Sequence, residues 1–155
     1  MTATMNPIDK QAVIEASIVL LQQKLAALEQ TQAEQLSDSA SQGKSTAGDK
    51  HDTAQAMVHL EQEQNNQLWQ ETTRQLQFFL QPRWREACTQ GGPGALITTN
   101  QGHYLILNAI GKVQVNEASV MTLSAASPLG QAMMGKRVGE TVQMPKQEIH
   151  ILSIQ

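Results

Sequence analysis

Seven residues, Gly48-Asp49-Lys50-His51-Asp52-Thr53-Ala54, hold the most chemistry in this chain of 155. Asp49 and Asp52 are three residues apart, so on a helix their carboxylates lie on nearly the same side. Two hard oxygen donors placed in this way suit a divalent cation. A second reading needs only a helix: Asp49 is a good N-cap, Asp52 stands where a capping-box acid reaches back, and both charges favour the positive end of the helix dipole. The two readings are compatible, because a capping acid can still face a metal.

Other motifs carry less. Gly43-Lys44-Ser45-Thr46 ends like a phosphate-binding loop, but Asp38 occupies the position where that loop needs its first glycine. His51 and His59 are eight residues apart, and with His103 and His150 in strand-like segments they show no metal-site spacing, so they read as solvated histidines. Cys88 is the single cysteine; it cannot form an internal disulfide, fits a reducing compartment, and reads as an ordinary thiol near a linker.

The aspartates need helices to position them. Ile14, Ile18, Leu21, Leu25 and Leu28 recur at steps of 4, 3, 4 and 3, a coiled-coil seam on a helix expected over about residues 8–36. Residues 37–48 are rich in Ser, Ala and Gly and read as a mobile loop. A second helix is expected from near Asp49 to about Gln81, where Pro82 stops it. Its seam of Met57, Leu60, Leu68, Leu76 and Phe79 is less apolar. One connecting loop predicts an antiparallel hairpin over residues 8–81, with its tip near 37–52. Leu21, Leu25, Leu28, Met57, Leu60 and Leu68 should then be buried between the two helices of one chain.

Residues 82–94 end in Gly91-Gly92-Pro93-Gly94 and read as a linker. Strands are expected at 95–99, 103–107, 112–115, 119–123, 141–144 and 148–154. Ser127 can cap a short helix with Pro128 at its first position, and Gly135 is placed to end it in a left-handed conformation. The expected class is α+β: a helical hairpin followed by a small antiparallel sheet, residues 95–155, that holds one short helix.

The order Ser127-Pro128-Leu129, short helix, Gly135-Lys136-x-Val138-Gly139-Glu140-x-Val142, then Glu148-Ile149-x-Ile151-Leu152-x-Ile154 resembles the C-terminal domain of the Gre family of bacterial transcription elongation factors. The match covers roughly a fifth of the chain. The resemblance implies an FKBP-like sheet domain, with the hairpin as the part inserted into RNA polymerase. It implies that Ser127, Pro128 and Leu129 belong to the surface that meets polymerase. It also implies that Asp49 and Asp52, the latter standing where the family has a glutamate, share a magnesium ion with the polymerase's own active site. On this reading the protein is an accessory factor with no cofactor of its own and is not itself an enzyme; it meets nucleic acid only within the polymerase complex. A prolyl isomerase pocket would be lined with aromatics, and only Tyr104 is available in the sheet region.

Composition limits the alternatives. Residues 1–81 hold five basic and ten acidic side chains, net −5, and the remainder six and four, net +2. An acidic first half argues against gripping free nucleic acid through phosphates. A charged leader before an apolar core, or a run of about 18 apolar residues, would point to export or a membrane; neither occurs, so no membrane partner and a cytoplasmic location are expected. The competing function is an interaction protein whose coiled coil pairs with itself or with another helix and which takes no part in cleavage. The simplest state is a monomer, with a coiled-coil dimer as the other.

Overall fold

The computed structural model describes the backbone of residues 8–42 and 48–155, and the side chains of residues 8–34 and 54–155. Two long helices come first, α1 (Lys10–Gln42) and α2 (Gly48–Phe79), followed by a 3-10 turn, Pro82–Arg85. Six strands and a short helix complete the chain: β1 (Leu96–Thr99), β2 (Gly102–Leu107), β3 (Lys112–Val115), β4 (Ala118–Ser124), α3 (Pro128–Met133), β5 (Thr141–Met144) and β6 (Gln147–Ile154). The chain is an α+β protein with an N-terminal helical pair and a six-stranded sheet holding one short helix.

Contacts divide the chain into two compact units, Leu20–Phe78 and a second formed by Met1–Val19 with Phe79–Gln155. The boundary between the units falls inside α1, after Val19, and at the end of α2, before Phe79, whereas composition divides the chain at residues 82 and 95.

In the helical unit α1 runs six residues beyond its expected end. Ser, Asp and Ala cost little each when added to a helix that is already nucleated, and the first strong breaker is Gly43. The two helices are antiparallel: Trp69 Nε1 donates to Glu29 at 3.4 Å, and Gln32 Nε2 donates to Asn66 Oδ1. On α1 the expected seam is present, with Leu21 fully buried and Leu25 and Leu28 half-buried. On α2 it is not. Met57, Leu60 and Leu68 are 60%, 55% and 50% exposed, and the inward positions are Val58, Gln62, Asn65, Trp69, Thr72 and Leu76. The face has turned by one residue because Trp69 carries more apolar area than Leu68, and its N–H finds a partner in Glu29.

In the sheet unit the strand order is β3-β4-β2-β1-β6-β5. Neighbours are antiparallel except β2 and β4, which run parallel with Leu105 opposite Thr122, so the sheet is mixed where an antiparallel one was expected. The cause is local. Thr122 Oγ1 accepts from Ile110 N–H at 2.8 Å and donates to Gly111 O at 2.7 Å, which holds residues 108–111 against β4 and starts β3 on its far side. The β3–β4 hairpin then returns β4 against β2, and β3 serves as the crossover that a parallel pair requires.

One sheet face and α3 enclose a core of Ala95, Ile97, Ile106, Met133, Val142, Ile149 and Ile151. Leu96, Leu105 and Leu107 alternate to the opposite face and are buried as well. Buried apolar side chains of this unit outside the sheet include Val13, Ile14, Ile18, Phe79 and Trp84. The start of α1 is tied to the sheet's end: Lys10 N–H donates to Gln155 Oε1 at 3.0 Å, and Gln155 Nε2 donates to Ile8 O. The 82–94 segment is drawn in too. The Lys10 ammonium, 4% exposed, donates to Gly94 O at 3.1 Å and to Glu86 O, while Gly94 lies against the Trp84 ring. Among the described residues no helix is long and apolar enough to cross a membrane.

Candidate functional site

The Ser127-Pro128-Leu129 corner lies where β4 gives way to α3 and is built by three polar contacts. Ser127 Oγ accepts from Gly130 N–H at 3.0 Å, the N-cap expected from the sequence, and donates to Ser124 O at 2.7 Å. Ser124 Oγ in turn accepts from Ala126 N–H at 3.1 Å, closing a turn just before the helix. At Gly130 the chain has no room for a side chain, since a Cβ there would stand 2.2 Å from Ser124 O.

The three corner residues differ in what they present. Ser127 is half-buried and its hydroxyl is spent on the cap. Leu129 is half-buried and packs against the core that contains Met133 and Ile97. Pro128 is exposed. The turn after α3 is fastened to the 82–94 segment: Gly91 N–H donates to Lys136 O at 2.7 Å, Gly135 N–H donates to Gly91 O at 2.9 Å, and Gln90 bridges Arg137. Gly135 has φ +74°, the left-handed value expected of it. Beyond it, Gly139 N–H and Glu140 O pair with Ile151, which carries the line of β5 alongside β6. The corner, the turn and β6 therefore form one continuous hydrogen-bonded surface in which Pro128, Arg137 and Val138 are exposed.

Asp49 and Asp52 both fall in the first turn and a half of α2, where three residues of separation put them on one side of the helix. Their side chains lie outside the described residues. Two carboxylates supply at most part of the oxygen shell of a six-coordinate magnesium ion, so such an ion would need further ligands from elsewhere. Among the described residues no cluster of three or more His, Cys, Asp or Glu could hold a metal. The corner and the tip aspartates belong to different units.

The histidines described in the sheet are hydrogen-bonded. His103 Nδ1 pairs with Thr98 Oγ1 at 2.9 Å, and its partial burial lowers its pKa from 6.5. His150 Nδ1 pairs with Thr141 Oγ1 at 3.0 Å. Lys10 is the polar residue that sequence reasoning missed. Its ammonium also lies 3.8 Å from Cys88 Sγ, and the only signal was a lysine just ahead of an apolar seam.

No protein-family model matches this chain, and no curated protein does. Among solved structures it is similar to a structure of the transcription factor Gfh1, at 20% identity over 90% of this chain and 94% of that one, with a TM-score of 0.38. It is also similar to a crystal structure of GreA factor homolog 1 (Gfh1) of Thermus thermophilus, at 17% identity over 89% and 94% of the two chains, with a TM-score of 0.33. At identities this low, the functional reading is drawn from the residues of this chain.

Proposed function

We propose that this protein is a transcription elongation regulator that binds bacterial RNA polymerase through its sheet unit. In this reading the helical pair enters the secondary channel toward the active centre. The observation that carries the proposal is the 127–142 segment: the residues that resemble the Gre pattern form a capped helix, a left-handed glycine and an edge strand in that order, with Pro128 left exposed. The Asp49 and Asp52 carboxylates at the start of α2 would then contribute oxygen ligands to a magnesium ion shared with polymerase. That ion, when bound, would activate a water for hydrolysis of a backtracked RNA. The chain supplies ligands and no cofactor of its own.

The test has two arms. The chain should co-purify with purified core RNA polymerase, and Pro128→Asp should break the complex while leaving the thermal melt unchanged, since Asp is well tolerated at a helix start. Asp49→Asn with Asp52→Asn should keep binding and lose stimulated cleavage, because Asn has the size of Asp and removes only a charge whose favourable effect in the first turn of α2 is about 1 kcal/mol. A wild-type chain that binds polymerase but stimulates no cleavage at any magnesium concentration would be a regulator that occupies the channel without acting on the RNA. A chain that does not bind polymerase would overturn the proposal. One observation favours the competing interaction-protein reading, the exposed Met57, Leu60 and Leu68 on α2.

A further inference from the structure

Lys10 holds an amine where a charge is costly. Its side chain is 4% exposed, and among the described residues no carboxylate pairs with it; the ammonium donates to two backbone carbonyls, Glu86 O and, at 3.1 Å, Gly94 O. An ammonium buried without a counter-charge is disfavoured, and neutral carbonyls offset only part of that cost. The third group it meets is the Cys88 thiol, with Nζ and Sγ 3.8 Å apart. Sγ also lies 3.8 Å from Glu86 O, so amine and thiol converge on one carbonyl oxygen. Both residues belong to the same compact unit. Cys88 is half-buried, so a small molecule in solvent can reach the sulfur while the amine is enclosed. Two fixed carbonyls thus hold an amine against a thiol, and the two atoms need to approach by only about 1 Å to share a bridging atom.

We propose that Lys10 and Cys88 form a covalent cross-link through a single oxygen atom, Nζ–O–Sγ, when the protein is exposed to dioxygen. The S–H bond and an N–H bond break, S–O and O–N bonds form, and the O–O bond is split. Sulfur and nitrogen each give up two electrons and dioxygen takes all four. One oxygen stays in the bridge; the other leaves as water, carrying the thiol hydrogen and one amine hydrogen, and the ammonium's extra proton goes to solvent. The product no longer buries a charge. The link joins the first turn of α1 to the 82–94 segment across 78 residues of sequence, which restrains the unfolded chain.

The proposal is independent of the polymerase reading, because its test contains no polymerase. The full chain is incubated in oxygen-saturated buffer and weighed by intact mass spectrometry. A gain of about 14 Da is expected, one oxygen less two hydrogens, and dithiothreitol should reverse it. Trypsin does not cut at a bridged lysine, so the digest should contain residues 1–24 joined to residues 86–112. The oxidised chain should melt several degrees above the reduced one. Lys10→Gln and Cys88→Ser should each lose the mass gain. Cys88→Ser leaves Lys10 and its two carbonyls in place, so it should also keep the melt of the reduced wild type under either condition. Gains of about 16, 32 or 48 Da on Cys88 without the joined peptides, or a loss of about 2 Da from a direct S–N bond, would overturn the proposal. So would an unchanged mass, or a dimer joined through Cys88.

Discussion

At residue scale, the corner at 124–130 separates side chains that build from one that is free to bind. Ser127→Ala removes the acceptor for Gly130 N–H and the donor to Ser124 O, and should cost about 1–2 kcal/mol in denaturant unfolding. Gly130→Ala is the harsher change, because its Cβ would meet backbone at 2.2 Å; the expected loss is about 1–3 kcal/mol or more. Leu129 packs on the core, so a charge there tests folding, and Pro128 is the residue with which to test docking. His103 sets a pH dependence of known sign. Its folded-state pKa lies below 6.5, so the unfolded chain takes up the proton first, and stability falls as pH drops below 6.5 toward the folded value. Thermal melts across that window should show the fall, and His103→Gln should lose that part of it.

At the scale of elements, helix α2 shows how far a seam can be read from apolar residues alone. Leu21→Ala on α1 should cost about 2–5 kcal/mol, as for any fully buried leucine, whereas Leu60→Ala and Met57→Ala on α2 should fall within about 0.5 kcal/mol of wild type. Chemical denaturation of the three variants checks the register. The sequence reading places all six strands to within a residue, because each is a short apolar-rich run between turn residues, and it places the α1 seam correctly because that seam is apolar throughout. Over residues 57–68 it places the α2 seam wrongly, since Gln62 and Asn65 carry no apolar signal and the indole of Trp69, larger than Leu68, also needs a partner on the other helix to sit inward, whereas Leu76 and Phe79 are placed correctly. The parallel β2–β4 pair was illegible for a related reason: it depends on how Thr122 holds the 108–111 connection, a contact eleven residues away. The side chains of the tip aspartates lie outside the described residues, and in sequence a capping acid and a metal ligand have the same signature.

For the whole molecule, the first turns of α1 belong with the sheet, although they lead into the helical pair. A fragment of residues 95–155, the domain that composition suggests, lacks Lys10, Val13, Ile14 and Trp84, all of them buried in the same compact unit as the sheet. It should aggregate or give poorly dispersed amide resonances, while a chain joining residues 8–19 to 79–155 through a short flexible linker should give a dispersed spectrum. The same arrangement sets a schedule for synthesis. Lys10 and Gln155 are bonded across 145 residues of sequence, and a ribosome adding about 5–20 residues per second needs on the order of ten seconds to span them. During that interval the face carrying Val13, Ile14 and Ile18 has emerged before the strands of its own unit exist, so the start of α1 is where a nascent-chain chaperone would be expected to hold this protein.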